Sequence, residues 1–282
     1  MHKSEHHTIF YPNAPEILTA QSAKREGQCS EESRLQNLPS AILTPHASYA
    51  YVLETLHQSF SAMADLKPKL VVILGSLHQE PLDVDKPHFL FVPTGEGITL
   101  PHTTLRYATE VRTSLLSLFA DAIKSENSYF AEEAAVELTL PLADAYAKGV
   151  PVLPILTNTV DAKECRTYAA ILEKIVTVVP ETLFVLSANL NANLPAKLAT
   201  EHASTLVKLL QEGEPLLESV RSRQTSSCGT AAFEALRLQK WGKNGWIFSS
   251  FASDGKVFAH LPQEYLAKER IVWHASAKRK EV

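Results

Sequence analysis

Cysteine and glycine are both scarce in this chain of 282 residues, which contains 3 cysteines and 10 glycines. Cys29, Cys165 and Cys228 lie far apart and form no Cys-x-x-Cys pair, so the sequence favours neither a disulfide framework nor a structural zinc site. Any special sulfur chemistry would therefore belong to an individual thiol. Because 45% of the residues are hydrophobic, the chain can bury a sizeable core, and extensive disorder is excluded.

The sequence also lacks an excess of either charge and a long apolar run. Lys and Arg number 27 and Asp and Glu 31, giving a formal net charge of −4, so we expect neither a nucleic-acid nor a membrane partner. The longest apolar runs, at residues 70–74 and 150–156, are too short to span a bilayer. Residues 1–7 are polar and lack the apolar core of a signal peptide, which predicts a cytoplasmic protein. The basic residues 278–280 are expected to form a solvated C-terminal tail.

Several common nucleotide-binding and hydrolase motifs are absent. Gly95 and Gly97 are not followed by the third glycine of a dinucleotide-binding loop, and there is no GxxxxGK[ST], HExxH, GxSxG or EF-hand motif. Dinucleotide binding, P-loop phosphoryl transfer, zinc-dependent proteolysis and α/β-hydrolase chemistry therefore lose their usual support.

From residue 40 onward, short apolar runs alternate with amphipathic stretches, a pattern typical of a sheet flanked by helices. Strands are predicted at 41–43, 70–74, 89–92, 152–156 and 183–186, with a late hairpin at 246–250 and 257–259. Helices are predicted at 51–64, 108–123, 132–147, 162–178, 199–210 and 230–238, and residues 21–32 as a loop or frayed helix. Pro141 is expected to kink the third helix or end it early. Since no linker or fixed-period repeat interrupts the pattern, residues 1–282 are predicted to form one α/β domain.

Three predicted strands end in clusters of polar residues. His46 and His78 follow the first two of these strands, and Ser187 and Asn189 follow the strand at 183–186. In an open α/β sheet, ligands bind beyond the carboxyl ends of the strands, so we expect both histidines to face one cleft. A single histidine at a strand end is more often structural. Two in equivalent positions strengthen the hypothesis of a metal site, because neutral imidazole is a common ligand for iron, copper and zinc.

Two further features could place chemistry in this cleft. Cys228 directly precedes the predicted helix at 230–238, where the helix dipole stabilises a thiolate, although the alternative of a small buried residue stays open. Glu133 and Glu137 are four residues apart in one predicted helix and would share a face. Such a pair can provide a general acid or base, but carboxylates of this kind more often face water.

The ordered set of motifs resembles one protein family. The segments that carry the resemblance are Phe10-Tyr11-Pro12, Pro45-His46-Ala47-Ser48-Tyr49-Ala50-Tyr51, Leu74-Gly75-Ser76-Leu77-His78, Glu133-Ala134-Ala135-Val136-Glu137 with Leu140-Pro141, Val150 to Ile155, Ser187-Ala188-Asn189-Leu190-Asn191-Ala192 and Cys228-Gly229. They are similar to the Memo-like family, called AmmeMemoRadiSam system protein B in microbes. The matches run in order from residue 10 to about residue 240, within a motif-bearing core of about 10–260.

The resemblance implies a central mixed sheet flanked by helices, similar to the class III extradiol dioxygenases. It also implies a metal pocket for iron or copper formed by His46, His78 and Cys228. The further pocket residues that we predict are Tyr49, Glu133, Glu137, Ser187 and Asn189. This chain departs from the family motifs at Ala134, Asn189 and Ala192, where the family has histidine, aspartate and histidine. Alanine cannot transfer a proton and asparagine cannot act as a carboxylate base, so ring cleavage is not expected.

Three hypotheses about function follow. The first is a Memo-like protein whose His/His/Cys pocket binds iron or copper, with redox chemistry at the metal. The second is a non-catalytic module on a vestigial dioxygenase scaffold, binding a peptide or protein in the cleft where an enzyme would bind a small molecule. The third is a hydrolase in which Cys228 is the nucleophile and His46 or His78 the base.

Overall fold

An eight-stranded mixed sheet organises the part of the protein that the computed structural model describes, which is residues 1–12, 39–61, 66–79, 88–241, 245–254 and 270–280. The strands are β1 (His2–Lys3), β2 (Ser40–Thr44), β3 (Leu70–Ser76), β4 (Leu90–Val92), β5 (Gly97–Thr99), β6 (Thr104–Arg106), β7 (Ile123–Ser125), β8 (Val152–Thr157), β9 (Thr182–Ser187), β10 (Leu194–Pro195), β11 (Trp246–Ser253), β12 (Arg270–Ile271) and β13 (Trp273–Arg279). The predicted elements at 21–32 and 257–259 lie outside the described residues.

The helices are α1 (Tyr49–Ser61), α2 (Thr109–Leu118), α3 (Ser128–Glu132), α4 (Ala134–Glu137), α5 (Leu140–Tyr146), α6 (Ala162–Val178), α7 (Ala196–Glu212), α8 (Leu217–Arg221) and α9 (Thr230–Arg237). Within the described ranges, no helix is both long enough and apolar enough to cross a membrane.

The strand order of the main sheet is β11-β13-β2-β9-β3-β8-β4-β7. The four central strands β2, β9, β3 and β8 are parallel, whereas β8 meets β4, β2 meets β13 and β13 meets β11 in antiparallel fashion. Two small sheets, β1-β5-β6 and β10-β12, lie outside it. This arrangement confirms the predicted α/β domain with a central mixed sheet flanked by helices.

The central strands are apolar along most of their length because helices cover both faces of the sheet. Every residue of β2, β3, β8 and β9 is buried, as expected for parallel strands between two helical layers. One core cluster packs α6, α7 and α9 against one face. A second cluster packs α1 and the short helices α3 to α5 against the other. The carboxyl ends of the parallel strands are thereby held in fixed positions.

The predicted helix at 132–147 is wrong, because three short helices, α3, α4 and α5, occupy this stretch. The backbone of Glu133 is extended, with φ −105° and ψ 109°, so α3 ends before it and α4 begins after it. Pro141 does not kink a continuing helix but lies in the first turn of α5, where the missing proline N–H is tolerated.

The predicted solvated tail at 278–280 is also wrong, because these residues belong to β13 or directly follow it. Arg279 is 2% exposed, and its guanidinium lies 4.7 Å from the centre of the Trp241 ring and donates a hydrogen bond to the Gln239 carbonyl. Burial lowers the pKa of Arg279 to about 10. The last described strand therefore lies inside the sheet, between β11 and β2.

Candidate metal centre

Three potential ligand side chains converge at the carboxyl ends of the parallel strands. His46 lies two residues beyond β2, His78 lies two residues beyond β3, and Cys228 lies just before α9. The ligand atoms of the three side chains all lie within 4.8 Å of one another. His46 Nε2 is 3.5 Å from Cys228 Sγ. The centres of the His46 and His78 rings are 5.4 Å apart, and the ring planes are at an angle of 79°. The ligand atoms around one ion lie about 3–4 Å apart, so small side-chain movements would bring all three to the distances of a coordinated ion.

The ring of His46 is oriented by the last residue of β9. The Ser187 hydroxyl donates to the Ala135 carbonyl, with 2.5 Å between the oxygen atoms, so it must accept its other bond, from His46 Nδ1, 3.2 Å away. When neutral, His46 therefore carries its proton on Nδ1. Its Nε2 lone pair is left to face Cys228 or a metal ion.

The ring of His78 is oriented by a buried carboxylate. Glu133 Oε2 lies 2.9 Å from His78 Nδ1 and accepts the His78 backbone N–H at 2.8 Å. Hydrogen bonds with Cys228 and Glu133 raise the pKa of His78 to about 10, although partial burial opposes the shift. Burial would raise the pKa of Glu133, but its hydrogen bonds and the charge of His78 lower it overall. A carboxylate behind a histidine is the usual way in which proteins fix a metal ligand.

The thiol of Cys228 is placed by a close contact between the residue before α9 and the residue after β9. A side chain on Gly229 would meet the Ala188 Cβ at 2.4 Å, so glycine is required beside the cysteine. The Asn189 backbone N–H donates to Cys228 Sγ at 3.4 Å. Burial alone would raise the pKa of Cys228, but the charge of His46 and hydrogen bonds from His46 and His78 bring it well below its ordinary value. The surrounding histidines therefore favour the thiolate, which is the form that binds metals and attacks electrophiles.

Two of the predicted pocket residues serve another part of the molecule. Glu137 is 2% exposed and accepts the backbone N–H groups of Glu5 and His6 and the hydroxyl of Tyr11. The hydroxyl of buried Tyr49 donates to the Leu138 carbonyl at 2.7 Å. The expectation that Glu133 and Glu137 share a water-facing helix surface is wrong, since both carboxylates are buried and α4 begins only after Glu133.

The Memo-like protein profile matches residues 3–260, which is most of the chain. The chain belongs to the Memo-like family. A MEMO1 family protein from Aquifex aeolicus (strain VF5) is 25% identical over 203 residues, covering 72% of this chain and 71% of the relative. The crystal structure of uncharacterized protein JW3007 from Escherichia coli K12 superposes with a TM-score of 0.52 at 12% identity, over 85% of this chain and 98% of that one, which shows a shared fold.

Of the three positions at which the sequence departs from the motifs quoted above, Asn189 contacts candidate ligands directly. Asn189 Oδ1 accepts the backbone N–H of His46 at 3.3 Å, and Asn189 Nδ2 donates to the His46 carbonyl at 3.5 Å. Ala134 is the first residue of α4, directly after Glu133. The Ala192 N–H donates to Ser226 Oγ. Asn189 thus holds the backbone of a candidate ligand without contacting its ring.

The sequence prediction missed His274, which also contacts Asn189. Its Nδ1 lies 3.0 Å from Asn189 Oδ1, and the residue is 2% exposed. The only signal in the sequence is a histidine beside the small residues of Trp273-His274-Ala275-Ser276-Ala277, which would suit a covered strand. Because no strand was predicted at 273–279, and residues 278–280 were predicted to form a tail, this signal had no structural context.

Proposed function

We propose that this protein is a transition-metal-binding member of the Memo-like family. His46 Nε2, His78 Nε2 and Cys228 Sγ would hold an iron or copper ion. The observation that carries the proposal is the convergence of three ligand atoms within 4.8 Å, drawn from three separate parts of the chain. Ser187 and Glu133 support it, because each occupies the Nδ1 atom of one histidine and leaves Nε2 for the ion.

The chemistry of the donors fits this class of metal. Two imidazoles and one thiolate form a set of intermediate softness, which suits copper, iron or zinc and disfavours Mg²⁺ and Ca²⁺. When bound, an iron or copper ion would supply one-electron redox chemistry or polarise a coordinated ligand. His78 is about half exposed at its side chain, so a small molecule could approach the centre from that side.

Ring cleavage is not part of the proposal. Neither Ala134 nor Ala192 can move a proton, and the Asn189 amide is already bonded to the His46 backbone and to His274. The proposal is therefore limited to metal binding by His46, His78 and Cys228.

One alternative rests on a specific observation. A Cys228 thiolate beside two histidines is also the arrangement of a cysteine nucleophile with a base, which would make the protein a hydrolase. In that case Cys228 would hold no metal ion, and neither added metal nor a chelator would change the reactivity of the thiol. The reactivity of the thiol therefore separates the two functions.

Bound metal is expected to protect Cys228 from alkylation. Protein purified without an affinity tag would be treated with iodoacetamide after loading with Co²⁺, after chelation, and after reloading, and each cysteine would be followed by peptide mass spectrometry. We expect at least about a tenfold slower reaction of Cys228 in the loaded protein, because a coordinated thiolate is a poor nucleophile. Cys165 is 1% exposed and is the internal control. Equal rates for Cys228 in all three samples would favour the hydrolase.

Metal affinity is expected to rise with pH across the physiological range. Hydrogen bonds with Cys228 and Glu133 raise the pKa of His78 to about 10, whereas the pKa of Cys228 lies well below its ordinary value. Binding must displace the proton from His78, so affinity should increase by up to about tenfold per pH unit below that value. Calorimetric titration with Zn²⁺ at pH 6, 7 and 8, in buffers of different ionisation enthalpy, would measure the protons released. Affinity that does not change with pH would mean that His78 is not a ligand.

A further inference from the structure

His274 lies on β13, the strand that pairs with β2 and so runs beside His46. The antiparallel pairing of β13 with β2 matches Ala277 with Leu43 and Lys278 with Ile42. Continuing this register beyond the last pair places His274 opposite His46. The two residues are joined through Asn189, whose Oδ1 contacts both the His46 N–H and the His274 ring.

The hydrogen bonds fix which atoms donate. A backbone N–H can only donate, so the atom of Asn189 that contacts the His46 N–H must be the amide oxygen. The same oxygen lies 3.0 Å from His274 Nδ1, which must therefore carry a proton. Burial and the nearby charge of His46 lower the pKa of His274 to about 4, so the ring is neutral and its proton stays on Nδ1.

The other ring nitrogen of His274 has no compensating contact. Nε2 is buried and has no hydrogen-bond partner among the described residues. Burying an unpaired polar atom opposes folding, so an apolar side chain of similar size would suit this position of β13 better for stability alone. The hydrogen bond to Asn189 is therefore what a histidine provides at this position and an apolar side chain would not.

We propose that His274 is a positioning residue of the metal centre. Its Nδ1–H holds the Asn189 amide in the orientation in which it accepts from the His46 N–H and donates to the His46 carbonyl. An aspartate at position 189 could accept the same two hydrogen bonds, but it could not donate to the His46 carbonyl. His274 and Asn189 thus form a matched pair that replaces the family's aspartate. This inference rests on the proposed metal-binding function.

The test compares His274→Leu with His274→Asn, two side chains of similar shape. Asparagine can place an N–H donor near the position of Nδ1, whereas leucine cannot. We expect His274→Leu to bind Co²⁺ about tenfold more weakly, in line with the loss of an outer contact to a ligand, and His274→Asn to recover most of the affinity. Binding would be followed by the thiolate-to-metal charge-transfer band, and unfolding by circular dichroism.

Stability separates positioning from a purely structural role. The melting temperature of His274→Leu should not fall below that of the wild type, because an unpaired buried nitrogen is removed. Unchanged Co²⁺ affinity in His274→Leu, or parallel losses of affinity and stability that asparagine does not restore, would overturn the inference. Failure of the proposed function looks different, because the wild-type protein itself would then show no charge-transfer band.

Discussion

Replacing Cys228 with alanine is expected to lower the affinity for Co²⁺ or Cu⁺ by about 100-fold and to abolish the thiolate charge-transfer band. The size follows from structural zinc sites, where about 10–16 kcal/mol of apparent binding free energy is shared among four ligands, so one ligand contributes roughly 3 kcal/mol. The matched control is Cys165→Ala. Cys165 is buried in the core cluster and is not part of the group of three candidate ligands, and burial raises its pKa to about 12.

The measurement is a titration of both variants and the wild type, with His46→Ala as a second ligand variant. We expect His46→Ala to resemble Cys228→Ala, and Cys165→Ala to resemble the wild type in metal affinity even where its stability falls. Equal affinity in all four proteins would place the ion elsewhere, for example at the histidine-bearing N-terminus, and would leave the pocket as a vestige.

The strand-end part of the candidate site could be predicted from the sequence. His46 and His78 each follow a fully buried run, β2 or β3, and the carboxyl ends of parallel strands meet at one edge of a sheet. Cys228 could be added because a helix start is visible in the sequence after it. Strand ends and helix starts are visible in the sequence, and in an α/β fold they meet at one edge of the sheet.

The supporting contacts could not be predicted in the same way. Glu133 and Glu137 were expected to share a helix face, but the helix breaks at Glu133 and the two carboxylates diverge. Only the tertiary structure shows that one holds His78 and the other holds the N-terminal segment. His274 was missed for a related reason: the strand that contains it is placed by pairing with β2 and β11, which are distant in sequence.

The two glutamates therefore provide a sharp contrast in their expected mutant behaviour. Glu137→Gln should lower the free energy of unfolding by about 3 kcal/mol, because one amide oxygen cannot satisfy three donors and its NH₂ group would face them. Metal affinity should change by less than about threefold, since the hydrogen bonds of Glu137 go to the N-terminal segment and not to the candidate metal ligands. Urea denaturation and Co²⁺ titration would measure the two quantities.

Glu133→Gln is the matched variant, and the opposite pattern is expected. Its neutral amide can still accept one hydrogen bond but carries no negative charge to fix the His78 ring and strengthen Nε2 as a ligand, so Co²⁺ affinity should fall by about 10- to 100-fold. Stability should fall by only about 1 kcal/mol, from weakening of the cap on Ala135 at the start of α4. Both variants change a carboxylate to an amide within one short segment, so nonspecific damage would affect them alike. If both lost metal affinity to the same extent, Glu137 would have to act on the centre through α4, and the two carboxylates would form a single functional unit after all.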